Sequence, residues 1–354
     1  MGILDFPTEL LLLVAENLSI GDLSKLRSTS RQLLSVLTPR FEWLCLQDIG
    51  ELTALQWAAV RGHTELIKLA ISRGAEIDKP LRGKLVETAL SMFDWHDCRS
   101  ICALANNRAR PGVKDSTFRT PLFLAACSWR LEAIKELLKL GASMQCFGDR
   151  GSPAHISAYR GNVDCMRAFI GARFDINTRG RRGRTVLHEA MYGGDRGVEM
   201  VEYLLQLEGG ERLVNARDSG HRTPLHLAAG SYEFTDVIRV RMIELLLQHG
   251  ADIHARDRFE NTPAHLAAGV GDIYSMRVLI AAGVDFRARG RLGQTILHRA
   301  IKGRTGMLKY LLGQKGGRRI IHVRDNHGKT PLNYVRAICR CRRCSERLRT
   351  RIEE

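Results

Sequence analysis

Aromatic side chains are scarce in this chain, at 6% of 354 residues. That shortage suits helices packed through small residues better than a β-sandwich. Lysine is scarce too, 11 residues against 43 arginines, and residues 140–301 contain none. A GC-rich coding sequence would produce this bias. Long hydrophobic runs are missing. The stretch Leu10 to Ala15 is flanked by Asp5, Glu9 and Glu16, and falls far short of the roughly 20 apolar residues that cross a bilayer. No membrane association is expected from it. A secretory signal is not visible either, and Phe6 stands where a myristoylation site after Met1-Gly2 wants Ser or Thr. No P-loop, G-x-G-x-x-G, H-E-x-x-H or phased Ser/His/Asp arrangement occurs, so neither catalysis nor a cofactor is expected.

The cysteines number nine, an odd count, and six of them (45, 98, 102, 127, 146 and 165) are scattered singly. This points to buried thiols in a reducing compartment, cytoplasmic or nuclear. Cys339, Cys341 and Cys344 form the one cluster. Cys341 and Cys344 have the spacing of half a zinc site, but no second pair follows, and His322 or His327 would have to complete it. The default reading is a solvated basic end.

What the chain has in excess is positive charge, a formal +16. Residues 1–50 carry 4 basic and 6 acidic groups, so the surplus lies entirely in the remainder. Such a field favours acidic partners. Aromatic residues are not interleaved with the basic groups, which argues against a nucleic-acid surface.

The strongest internal pattern is a repeat. Thr223-Pro224-Leu225-His226-Leu227-Ala228-Ala229 returns as Thr262-Pro263-Ala264-His265-Leu266-Ala267-Ala268. Fainter copies start near Thr53, Thr88, Thr120, Ser152, Thr185, Thr295 and Thr330, at intervals of 32 to 39 residues. Thr or Ser is a good helix N-cap, and Pro suits the first helical turn. The alanine pair lets neighbouring helices approach closely. A second apolar stretch follows, as in Ile243, Leu246 and Leu247, and then Gly, as in Gly250-Ala251, which suits a left-handed C-terminal cap. Each unit therefore reads as helix, loop, helix, turn, and must stack on neighbours to bury its apolar side. The longer intervals imply insertions near 193–197 and 230–236, in interhelical loops. Five copies carry a histidine (His155, His188, His226, His265, His298). One per unit, these do not converge on a common site.

The seven-residue motif and the period resemble ankyrin repeats. That resemblance implies an all-α solenoid of about nine units over residues 51–354, and a hydrogen bond from each motif histidine to backbone near the turn. Residues 1–50 do not follow the repeat. Phe6-Pro7-Thr8-Glu9-Leu10-Leu11, Val14, Leu18, Asp22-Leu23 and Leu26 suggest short amphipathic helices. They resemble the F-box, although Thr29-Ser30-Arg31 and Leu33 depart from its second half. This resemblance implies a small helical domain that binds a Skp-type adaptor through residues 4–45, with Phe6, Pro7, Leu10, Leu11, Val14, Leu18, Leu23 and Leu26 as the apolar surface. It further implies a substrate receptor of a Skp–cullin–F-box ubiquitin ligase. The alternatives are a ligase-independent ankyrin scaffold, with the first 50 residues as a cap, and a nuclear regulator using its basic surface.

Arginine supplies the remaining candidate site. Arg179, Arg217, Arg256, Arg289 and Arg324 each precede a motif Thr by six residues, and Arg184 and Arg222 stand just before one. Stacked helices lie about 10 Å apart, so the five should form a column along the turns, a surface for an acidic protein target.

Overall fold

In the computed structural model, residues 48–49, 52–53, 120–139, 141–145, 151–231, 235–301 and 305–338 are described. The segment 4–45, the repeat from Thr88 and the cluster Cys339, Cys341 and Cys344 lie outside them. Two compact units are formed: Met1–Ala154 with Arg167–Phe174, and His155–Met166 with Asp175–Glu354.

In the first unit, β1 (Asp48–Ile49) pairs antiparallel with β2 (Leu52–Thr53). The helices α1 (Pro121–Cys127) and α2 (Leu131–Lys139) pack on each other. Thr120 caps α1 by accepting the Phe123 N–H at 3.3 Å. The core residues Leu122, Ala125, Ala126, Ile134 and Leu137 are fully buried. Trp129 joins the two helices with a φ of 61°, where the later copies have Gly161 and Gly271.

From α3 (Pro153–Arg160) and α4 (Val163–Gly171) onward the order repeats. The inner helices of the second unit are α5 (Val186–Ala190), α8 (Pro224–Gly230), α10 (Pro263–Val270) and α12 (Ile296–Ala300). They lie side by side in chain order, and α15 (Pro331–Ile338) packs on the last. Ala228, Ala229, Ala267 and Ala268 are buried where these helices meet, as the small-residue motif requires. The outer row is α6 (Gly194–Gln206), α9 (Asp236–Gln248), α11 (Ile273–Ala281) and α13 (Thr305–Leu312), again each on the next. Met200, Val201, Leu204, Ile243, Leu246, Met276, Leu279, Met307 and Leu311 point inward at helical spacing and are buried. Fully burying one such side chain stabilises by about 1.5–3 kcal/mol, so the stack is held mainly by this layer.

Of the two expected insertions, the later one appears as residues before α9 and an extra turn at its start. The earlier one is divided. Part lengthens α6 at its start, and part forms a separate turn of helix, α7 (Gly210–Val214), after it. The unit after Thr295 has a similar addition, α14 (Lys315–Arg319). Apolar residues drive both: Leu213, Val214 and Ile320 are buried.

Between units the chain makes a tight finger. Its last turn position is left-handed in all five fingers where that position is described: Gly183 (φ 66°), His221 (58°), Glu260 (63°), Gly293 (69°) and Gly328 (72°). A side chain there carries a strain of roughly 1–2 kcal/mol that glycine avoids. His221 is exposed. His221→Gly is therefore expected to raise stability by about 1 kcal/mol in urea unfolding. A loss of stability would show that the histidine side chain has a role the backbone does not reveal.

Candidate functional site

The motif histidines are built into the backbone. In four units the Thr N–H donates to histidine Nδ1, at 3.2 Å for His188, His226 and His265 and 3.1 Å for His298. The Thr hydroxyl lies 2.8–2.9 Å from the same ring nitrogen and accepts the backbone N–H of the histidine, closing a capping box. Because Nδ1 accepts, the ring proton sits on Nε2. There it donates to a carbonyl of the following unit. His155 reaches Arg184 (3.1 Å), His188 Arg222 (2.9 Å), His226 Asn261 (3.0 Å), His265 Gln294 (3.1 Å) and His298 Lys329 (3.0 Å). Burial lowers all five pKa values, to about 4 for His155, His188 and His265. These rings are structural links between units. In the last described copy, Asn333 replaces histidine and its side-chain oxygen takes the Thr330 N–H and hydroxyl at 2.8 and 2.9 Å.

The fingers form a second ladder. Asp218, Asp257 and Asp325 each accept two backbone N–H groups of their own turn at 2.8–3.0 Å. Burial would raise the Asp325 pKa, but hydrogen bonds from the Tyr334 hydroxyl and the Lys329 and His327 N–H groups hold it at about 2. Neighbouring fingers are also joined: Ser219 N–H donates to the Arg182 carbonyl (2.8 Å), Arg258 to Gly220 (2.9 Å) and Asn326 to Leu292 (3.0 Å).

The five in-phase arginines belong to this ladder, and all five are exposed. Arg179 donates to the carbonyls of Gly183 (2.8 Å) and Arg217 (2.6 Å). Arg256 donates to the Arg289 carbonyl (3.3 Å) and pairs with Glu260 (3.0 Å). Arg289 donates to the Arg324 carbonyl, and Arg324 to Gly328 (3.1 Å). So the equal spacing reflects a bond from one finger to the next. A guanidinium has five N–H donors, which leaves the exposed edges able to meet an anion.

Arg184 and Arg222 are placed differently. Arg184 is 7% exposed, bonded to Glu189 (3.2 Å) and the Tyr192 hydroxyl (2.8 Å), with its guanidinium over the Tyr192 ring. Arg222 clamps Asp218 with two nitrogens, at 3.0 and 2.7 Å. Neither stands free on the turn surface, because long side chains find partners that sequence spacing does not show. The residues proposed for adaptor binding, Phe6 to Leu26, lie outside the described residues.

A hollow of about 360 Å³ lies beneath the fingers, against the inner helices α8 and α10. Nothing in the sequence pattern pointed to it. Gly230 lies in its lining, at the place in the motif where the preceding copies have Tyr159 and Tyr192. The exposed ring of Phe259 overhangs it, flanked by the guanidinium groups of Arg258 and Arg291, 4.7 and 5.0 Å from the ring centre. A shallower pocket lies among the turns around Arg217, His221, Arg256 and Glu260. Among the described residues, no three His, Cys, Asp or Glu side chains gather as a metal site, and no helix is long and apolar enough to cross a membrane.

The geometry defines a stack of helix–loop–helix–turn units with a cationic finger edge and a groove under it, an arrangement of the ankyrin class. Comparison with known proteins agrees. Family models of ankyrin repeats match residues 154–257 and 236–322, an ankyrin repeat model matches residues 51–80, and the F-box domain model matches residues 3–44. The chain therefore carries an F-box domain followed by ankyrin repeats, both of them protein-interaction modules. It is similar to human Ankyrin repeat and SOCS box protein 16, 26% identical over 59% of this chain and 46% of that one. It is also similar to the E3 ubiquitin-protein ligase KEG of Arabidopsis thaliana, 27% identical over 38% of this chain and 8% of that one. The chain thus spans less than half the length of these curated relatives. Among solved structures, the ankyrin repeat domain of Bcl-3 matches with a TM-score of 0.50 and 22% identity, over 74% of this chain and 98% of that chain. This shows the fold.

Proposed function

We propose that the protein is the target-recognition subunit of a Skp–cullin–F-box ubiquitin ligase. The F-box would bind a Skp-type adaptor and the ankyrin repeats a protein target, while the ubiquitin chemistry belongs to other subunits. The observation that carries this reading is the match to an F-box at residues 3–44 in the same chain as a repeat stack. Two relatives, one named for ankyrin repeats and a SOCS box and the other for E3 ubiquitin-protein ligase activity, support it. On the target side, the exposed Arg217, Arg256 and Arg289 favour an acidic segment lying along the fingers. The adaptor surface would be the apolar residues from Phe6 to Leu26, where a few buried anchors carry most of the affinity.

The test is a pull-down with a Skp-type adaptor. Replacing both Pro7 and Leu10 with Ala is expected to abolish capture while circular dichroism shows the repeats still folded. Full capture by the folded double variant would remove the ligase reading and leave an ankyrin scaffold.

A further inference from the structure

The hollow beside Gly230 has the chemistry of a binding site. Its volume, about 360 Å³, falls in the range of small-ligand pockets, about 300–1,000 Å³. Two successive motif copies have glycine, Gly230 and Gly269, where the two before them have tyrosine, whose rings lie 6.4 Å apart, and Gly230 is the one that lines the hollow. Neither glycine is needed for the backbone. Neither has a left-handed φ, and a Cβ would meet only side-chain atoms, Leu266 at 3.3 Å from position 230 and the Arg299 guanidinium at 3.3 Å from position 269. The missing side chains therefore leave open space without meeting any demand of the fold.

Arg299 forms one wall. It stands at the motif position that is leucine in the two preceding copies, Leu227 and Leu266. Its Nε is buried with no hydrogen-bond partner, and no carboxylate pairs with it among the described residues. A guanidinium left unmatched is costly, and because the Arg299 side chain lines the hollow, an acceptor entering there would compensate its charge. At the rim the Arg291 backbone N–H donates to the Asn261 side-chain oxygen (3.1 Å), while its guanidinium rests on the Phe259 ring and keeps its N–H donors. The one carboxylate lining the hollow, Asp257, is buried and already accepts the Phe259 and Asn261 N–H groups. The hollow thus combines a positive wall with apolar surface from Phe259, Leu266 and Val270.

We infer that this hollow receives a carboxylate side chain from an acidic segment of the target, with an adjoining apolar side chain against Phe259. The inference rests on the reading of the repeats as a target receptor, and assigns the contact to the groove, apart from the arginine column of the fingers.

The experiment uses the full chain to select binders from a random peptide library displayed on phage. Selected peptides are expected to be enriched in Asp or Glu next to an apolar residue. Arg299→Gln should weaken them at least about tenfold, the usual scale of one charge-assisted contact. Gly230→Tyr, which restores the residue of the preceding copy, should do the same without changing charge. Both variants must retain the wild-type circular dichroism. If Arg217→Glu, Arg256→Glu and Arg289→Glu together abolish binding while the two groove variants bind normally, the groove inference fails and the receptor reading stands. If no acidic peptide is selected, or the groove variants lose an oligonucleotide and keep the peptides, the inference is overturned as well.

Discussion

The thermal unfolding midpoint is expected to fall steeply as the pH drops from about 6.5 to about 4, and to change little between pH 7 and 8. Three buried histidines, His155, His188 and His265, have folded pKa values of about 4 against 6.5 when exposed. Burial is the principal cause in each. Between the two values the unfolded chain binds protons that the folded chain refuses. Stability is therefore complete above pH 6.5 and is lost as the pH falls through this window. Each ring contributes on the order of 3 kcal/mol at most. His226 and His298 shift in the same direction. Asp325, held at about 2, keeps its charge throughout, and its own contribution is lost only in stronger acid. His265→Asn provides the control, since Asn333 already closes the same cap in the last described copy. The variant should lose stability at pH 7 and show a shallower acid slope. A wild-type midpoint that is level from pH 7 to 4.5 would refute the assignment of these rings as neutral links.

Asp272→Ala is expected to lower stability by about 3 kcal/mol, since it removes a helix cap and the buried partner of Arg239, whose other carboxylate partner, Asp236 at 3.2 Å, is half exposed. Asp272 accepts the Tyr274 and Ser275 N–H groups at the start of α11 and the Ser275 hydroxyl. It also meets the Arg239 guanidinium of α9 at 2.5 Å, and both side chains are buried. The pair thus ties one outer helix to the next. Arg239→Met should be markedly milder. It leaves the carboxylate with three donors, and the flexible thioether can fill the space. Urea unfolding of both variants measures the asymmetry. If Arg239→Met is the more damaging of the two, the cap and the pair have been weighed wrongly.

Much of the fold was legible because its determinants are local. Thr185, Thr223, Thr262 and Thr295 announce helix starts by their own chemistry, and the alanine pairs and spaced leucines mark the faces that stack. The arginine column was legible in phase only. That Arg179 or Arg289 bonds the next finger's carbonyl could not be read, because every residue has a carbonyl and it leaves no mark on the sequence. Arg184 and Arg222 look like surface charges beside a motif threonine. Their partners Tyr192 and Asp218 are chosen by folding. The Arg239–Asp272 pair joins residues 33 positions apart on different helices, outside any short motif. The hollow was hidden for a different reason: its signal is the absence of a side chain at Gly230, and glycine near a helix end reads first as a cap. For residues 3–44 the family comparison supports the F-box resemblance, while the geometry of its apolar residues lies outside the described part.

The histidine links also give the chain a direction in time. Each ring closes its own cap, but its Nε2 proton is matched only by a carbonyl 29 to 35 residues further along. On a ribosome, a unit that has fully emerged still lacks this acceptor until most of its successor is made. Locking of the stack must therefore trail synthesis by one repeat, with each new turn completing the one before it. Asn333 alters this sequence of events, because its amide oxygen closes the cap of its own unit. Of the five links, that of His298 to Lys329 has its acceptor furthest along the chain and is the last to be made.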